Sequence, residues 1–151
     1  MLAGLGQPVR DLPAEFSGPL PPGLREAAVF APGVLVVSGP SYENDPAFAS
    51  RAVCAAEFSG WPLIVLCDRA EDAARSDRSF LWHVFTRFEP AADIHAAKKE
   101  VVRNHLAFSP PILLDARMKP WMPETVESDP DTARLVEKRW GEYAPGLKIF
   151  G

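Results

Sequence analysis

Two aspartates close apolar runs. Asp68 ends Pro62-Leu63-Ile64-Val65-Leu66-Cys67, and Asp115 ends Ile112-Leu113-Leu114. Two carboxylates at one sheet edge can serve acid–base chemistry or hold a divalent cation. Arg87 lies between them in sequence, behind Phe80-Leu81-Trp82-His83-Val84-Phe85-Thr86. A guanidinium at a helix C-terminus can grip a substrate carboxylate with two parallel hydrogen bonds. It can equally pair with Asp68, Asp93 or Asp115 while complementing the helix dipole. Three nearby carboxylates favour that structural pairing. The same holds for Asp68 and Asp115, because charges that become buried need partners.

Other chemistries find little footing. His83, His95 and His105 match no familiar metal-ligand spacing. Cys54 and Cys67 lack an evident His partner and read as small buried hydrophobes. Ser38-Gly39-Pro40-Ser41 follows a strand-like run but has neither the lysine of a phosphate loop nor a dinucleotide-binding glycine pattern, so it reads as a turn. No Gly-x-Ser-x-Gly elbow occurs. The net charge is −4, and the one adjacent cation pair, Lys98-Lys99, runs straight into Glu100, so a nucleic-acid footprint is not expected. No apolar stretch approaches the roughly 20 residues of a membrane span. Met1-Leu2-Ala3-Gly4-Leu5 lacks the basic and apolar regions of a signal peptide, and a cytoplasmic protein is expected.

The elements that must position these residues can be read from the same string. The length of 151 residues, with 47% hydrophobic and 24% charged, suits one globular domain. Residues 1–26 form a Pro-rich arm, with Leu12, Phe16 and Leu20 available either to dock on a neighbouring subunit or to remain a partly ordered terminus. Residues 27–151 are read as a single α/β domain. Val34–Val37 and Pro62–Asp68 are buried strands. Asn44 or Asp45 caps a helix that carries Ala47, Phe48, Val53, Cys54 and Ala55 and stops at Gly60. Residues 69–78 read as a solvated connection. Ser76 or Asp77 caps a helix with a stripe of Phe80, Leu81, Val84 and Phe85. A short strand over 92–95 is followed by helical composition over 96–107. Pro110-Pro111 then breaks the chain before a strand at Ile112–Asp115. Lys119 to Pro123 is a loop. Ser128 or Asp129 caps a last helix, and Leu147, Ile149 and Phe150 lie in a tail. This order predicts a mixed, partly parallel sheet covered by helices. Trp61, Trp82, Trp121 and Trp140 are many large aromatics for a small domain, suited to core packing or to an interface.

Several of these segments together resemble one family. A strand ending in Asp68 is followed by Leu81-Trp82 on a helix, then by Thr86-Arg87-Phe88-Glu89-Pro90-Ala91-Ala92-Asp93-Ile94. This is similar to the UbiD-type signature, in which Leu-Trp precedes Thr-Arg-x-x-Pro-x-x-Asp. Leu114-Asp115-Ala116-Arg117-Met118-Lys119-Pro120-Trp121 resembles that family's Asp-Ala-Thr-Lys segment, and Val36-Val37 with Ala47, Ala49 and Arg51 resembles the strand and helix upstream of the signature. The resemblance runs over roughly residues 30–145. It implies the fold of the C-terminal domain of the UbiD-type decarboxylases, which act reversibly on aromatic or unsaturated acids with prenylated flavin mononucleotide. It further implies that flavin, metal and catalytic set lie in a partner, a UbiD-like large subunit, and that this chain is a non-catalytic small subunit holding no cofactor. On that reading Asp68, Trp82, Thr86, Arg87, Asp93, Asp115, Lys119 and Trp121 line a cleft or interface. A self-associating module, or an enzyme with its site at Asp68, Arg87 and Asp115, are the alternatives. Two departures stand out: Arg117 replaces the Thr of Asp-Ala-Thr-Lys, and Leu106 to Pro111 occupies the place of a Leu-Asp-Pro stretch, on the substrate-side loop.

Overall fold

The computed structural model describes residues 11–123 and 129–143. The elements are β1 (Glu26–Ala31), β2 (Val34–Ser38), α1 (Phe48–Ala52), a 3-10 turn (Ala56–Phe58), β3 (Leu63–Cys67), α2 (Ala70–Ala74), α3 (Asp77–Phe85), β4 (Ile94–Val102), β5 (His105–Asp115), α4 (Pro130–Lys138) and α5 (Trp140–Tyr143). Five strands form one sheet in the order β1-β2-β3-β5-β4. The inner pairs β2/β3 and β3/β5 are parallel, and the outer pairs β1/β2 and β4/β5 are antiparallel. The predicted mixed, partly parallel sheet is the one found.

Alternation along the inner strands sorts the core into two layers. Leu35, Val37, Ile64, Leu66 and Leu113 pack with Phe48, Ala49, Val53, Phe58 and Trp61 on one side. Val36, Val65 and Ala116 pack with Ala70, Ala73 and Val84 on the other. Both faces being covered explains why β2 and β3 are apolar throughout.

Several sequence expectations need correction. Of the arm, residues 11–26 are described, and Phe16 and Pro13 meet this chain's own domain: Phe16 packs on Trp61 at 6.3 Å between ring centroids, and the Gly33 amide donates to the Pro13 carbonyl at 2.8 Å. Residues 27–31, which the sequence pattern did not mark, belong to β1, joined to β2 through Pro32 and Gly33 with φ +82° at the glycine. Helix α1 is short and has no side-chain cap; Asp45 instead pairs with Arg51 at 2.5 Å. The connection over 69–78 contains α2, whose Ala70 and Ala73 are fully buried. Alanines at that spacing leave little hydrophobic signal, although they allow the helix to lie close on the sheet. On α3 the expected stripe splits: Val84 is buried, Phe80 stacks on Phe30 at 3.9 Å, and Leu81 and Phe85 are more than half exposed.

The largest difference falls on residues 96–107. They are not helical but form most of a long β4–β5 hairpin, turning at Arg103 and Asn104 with φ of 50° and 65°. Two consecutive residues of positive φ make the tight turn that suits the twist of a hairpin. Pro110-Pro111 does not break the chain either. The peptide bond is cis, and the pair lies inside β5, where the ladder passes from Lys98↔Ser109 to Ala96↔Ile112. Two β5 residues thus oppose Ala97, a bulge that has no need of the amides proline lacks. The caps at Ser76, which accepts from the Ser79 amide, and at Asp129, which accepts from Asp131 and Thr132, are as expected. Ser128 and the tail residues Leu147, Ile149 and Phe150 lie outside the described residues.

Candidate functional site

Parallel pairing brings the C-terminal ends of β2, β3 and β5 to one edge, with Ser38 beside Cys67 and Leu66 beside Asp115. Loops after these strands and after α3 converge there. Open sheets of this kind form their sites at that edge.

Five of the eight sequence-predicted residues meet at this edge, arranged as acid–base pairs. Arg87 Nη1 donates to Asp68 Oδ2 at 2.7 Å, and the same oxygen accepts the Met118 amide at 3.0 Å. Lys119 Nζ lies 2.7 Å from Asp93 Oδ2 and donates to the carbonyls of Arg87 at 2.7 Å and Asp115 at 2.9 Å. Its three ammonium hydrogens therefore have three acceptors. Asp93 Oδ2 also accepts the Glu89 amide at 2.7 Å, closing the turn after α3.

The third pair involves a residue the sequence marked only as a departure. Arg117 is fully buried and grips Asp115 in a two-point fork, Nε to Oδ1 at 2.8 Å and Nη2 to Oδ2 at 2.7 Å. Its Nη1 donates to the carbonyls of Pro40 and Asp45, each at 3.0 Å. The guanidinium also lies over the rings of Tyr42 and Phe48 at 5.2 and 6.0 Å. It thus ties β5 to the loop after β2 and to the entry of α1. The one available signal is its spacing: two residues beyond a strand-end Asp, an extended chain points back to the same side. Glu26 was also missed. Its carboxylate accepts from Ser38 Oγ at 3.0 Å and from the Ala70 amide at the start of α2 at 3.1 Å.

The other three predicted residues stand apart from these pairs. Trp121, 61% exposed, forms the rim, donating from Nε1 to Glu89 Oε1 at 3.1 Å and meeting Tyr42 edge-on at 5.4 Å. Trp82 and Thr86 line an open groove along α3 with Arg75, Arg78 and His83. Thr86 Oγ1 donates back to the Trp82 carbonyl at 2.5 Å.

Chemically, the edge is a set of matched charges. Among the described residues, no buried side-chain polar atom lacks a hydrogen-bond partner. Nor do any three His, Cys, Asp or Glu side chains among them gather to hold a metal ion. His83 Nδ1 is 2.8 Å from the Ser79 carbonyl in its own helix, and His95 sits on β4 with its pKa lowered by burial. Burial pushes the Cys67 thiol up to about 12, far from thiolate reactivity, whereas Cys54 is exposed. No helix among the described residues is long and apolar enough to cross a membrane.

No family model matches the chain. A protein of uncharacterized function from Chlamydia trachomatis is 36% identical over 143 residues, covering 94% of this chain and 24% of that protein. A Chlamydia pneumoniae protein, named as one of the subunits of 4-hydroxybenzoate decarboxylase, is 33% identical over 151 residues, covering 97% of this chain and 25% of that protein. The chain thus spans about a quarter of the length of the curated relatives it matches. Among solved structures, the open form of Sedimentibacter hydroxybenzoicus vanillic acid decarboxylase is similar at 15% identity and a TM-score of 0.43, covering 83% of this chain and 30% of that one. The decarboxylase kinship read from the motifs is borne out by the Chlamydia pneumoniae relative.

Proposed function

We propose that this chain, akin to a quarter of a decarboxylase subunit, is a non-catalytic part of a UbiD-like decarboxylase or carboxylase of aromatic or unsaturated acids. Prenylated flavin mononucleotide and its metal are held by polypeptide outside these residues. The chain's role is to build the assembly and to shape one side of the cleft. The observation that carries this reading is the pairing at the sheet edge: Asp68 with Arg87, Asp93 with Lys119, Asp115 with Arg117. Those groups are the sequence's best candidates for acid–base or carboxylate-binding chemistry, and their hydrogen-bonding capacity is directed at one another. An independent enzyme using Asp68, Arg87 and Asp115 would have to break these pairs before acting, at a cost of several kcal/mol for a buried one.

The test is to express the tagged chain in its native host, purify it gently, and measure mass by light scattering together with an absorbance spectrum. A co-purifying larger polypeptide with flavin absorbance is expected, and the isolated chain should turn over no aromatic or unsaturated acid. A colourless assembly of this chain alone would overturn the reading in favour of a self-associating module.

A further inference from the structure

Helix α3 turns one face inward and leaves the opposite one uncovered. Phe80 and Val84 pack in the layer of Val36 and Val65. At 3.6 residues per turn, Arg78, Leu81, Trp82 and Phe85 fall within a single arc on the other side. Leu81 is 56%, Trp82 50% and Phe85 59% exposed, and none of the three belongs to either core layer. Leu81 and Trp82 are nonetheless the Leu-Trp of the signature read in the sequence. Large apolar side chains gathered on one exposed face mark an interaction surface, and Trp is a frequent anchor of such surfaces.

The groove beside them carries charge of one sign. It encloses about 930 Å³, with Arg75 and Arg78 in its wall together with Trp82, His83 and Thr86, and no Asp or Glu lines it among the described residues. Arg75 finds only Asp72, at 3.9 Å, and the other oxygen of that carboxylate is held by Arg69 at 2.8 Å. Arg78 has no ion-pair partner among the described residues. Its neighbour Asp77 projects from α3 about a quarter-turn away, toward the side of Val84. The groove is thus a cationic, apolar surface on a chain of net charge −4. Its guanidiniums suit carboxylates, which they can hold with two parallel hydrogen bonds.

A second copy of this chain, placed about a two-fold axis on this face, does not supply those carboxylates. Two α3 helices packed antiparallel would bring Arg75 and Arg78 against Phe85-Thr86-Arg87-Phe88, with no carboxylate before Glu89, which Trp121 Nε1 engages at 3.1 Å. Packed parallel, arginine would meet arginine. The match therefore lies with a different polypeptide.

We propose that the outer face of α3 is the surface by which this chain docks on the flavin-bearing polypeptide, and that the segment seated there is apolar, with carboxylates opposite Arg75 and Arg78. This docking rests on the decarboxylase reading and adds to it the surface used and the chemistry of the partner.

The test is recovery of that polypeptide with the tagged full chain from its native host, read as flavin absorbance per mole of chain. Trp82→Gln/Phe85→Gln and Arg75→Glu/Arg78→Glu should each lower the ratio at least tenfold. Arg75→Lys/Arg78→Lys should keep at least half of it. All these positions are exposed, so the urea midpoints of the purified variants should match wild type. A wild type that brings no flavin-bearing polypeptide would refute the decarboxylase reading and this docking with it. A wild type that does, while either the Gln or the Glu variant still does so undiminished, would overturn the docking alone. So would a homodimer of the chain, seen by sedimentation velocity, that the same substitutions dissociate, since the face would then belong to a second copy.

Discussion

Replacing Arg117 by Met removes the most deeply buried cation of the sheet edge. Arg117 and Asp115 have side-chain exposures of 0% and 1%, so the Asp115 carboxylate would be left in place with its fork of two hydrogen bonds gone. Breaking a buried pair from one side costs about 3–5 kcal/mol, against a total stability of about 5–15 kcal/mol for a domain. The carbonyls of Pro40 and Asp45 lose their donor in the same step, though both are near enough to solvent for water to replace it. With a urea slope of about 1–3 kcal/mol/M, the unfolding midpoint followed by tryptophan fluorescence should fall by at least about 1 M. The variant Asp115→Leu/Arg117→Met separates charge loss from packing loss. It leaves no orphaned charge and should be more stable than Arg117→Met alone, with a coupling of about 1–3 kcal/mol in the double-mutant cycle. A midpoint shift under about 0.3 M for Arg117→Met, or strict additivity in the cycle, would refute the claim that this pair organises the edge.

Three further outcomes are expected. Arg87→Ala should lower stability by about 1–2 kcal/mol in the same urea assay, less than Arg117→Met, because Asp68 is 31% exposed and can rehydrate; a larger loss than that of Arg117→Met would contradict the burial order. A thiol-reactive dye at pH 8 should label Cys54 rapidly and Cys67 only after unfolding, since burial holds the Cys67 thiol up to about 12; two fast-reacting thiols in the native chain would count against the packing of β3. Burial lowers the pKa of His95 below its ordinary 6.5, with Asp115 pulling the other way, so the folded state binds that proton less readily than the unfolded state. The stability linked to His95 is then complete above pH 6.5 and lost as pH falls through the lower folded value, and His95→Gln should flatten that part of the urea-midpoint profile between pH 7.5 and 5.

The inner sheet was legible because burial on both faces writes itself as uninterrupted β-branched and aliphatic runs: Val34–Val37 and Leu63–Cys67 have no other economical reading. The caps at Ser76 and Asp129 were legible for a local reason, a side-chain oxygen placed ahead of orphaned amides. What escaped depends on long-range pairing. Residues 96–107 contain Ala, Lys and Glu, which favour helix in isolation. Their strand conformation comes from pairing with residues 105–112, through a turn whose Arg103-Asn104 lacks the usual Asn-Gly signal. Helix α2 escaped because two buried alanines make no visible stripe. At the site, the structure brings Asp68, Arg87, Asp93, Asp115 and Lys119 to one edge, and the sequence left their matching open. Which base serves which acid depends on loop paths that meet only in three dimensions.

Arg117 shows how that matching follows from the backbone. Beyond β5 the pairing with β3 runs one residue further, the Ala116 amide donating to the Leu66 carbonyl at 2.7 Å. Leu113 packs in the layer with Phe48, and the Arg117 guanidinium, paired with Asp115, lies over the same Phe48 ring at 6.0 Å. Ala116, between them, packs in the opposite layer with Ala70, Ala73 and Val84. Asp115-Ala116-Arg117 therefore places charges toward one layer and an alanine toward the other, where the strand before it uses aliphatics. A slip of β5 by one residue against β3 would drive Arg117 into the alanine-lined layer beneath α2 and α3, unpaired and without room. The same slip would bring Ala116 to the Asp45 and Pro40 carbonyls, which it cannot satisfy. The ionic edge thus sets the register of β5 by making the alternative costly, a task that the aliphatic segment Ile112–Leu114, tolerant of either layer, is poorly equipped to perform.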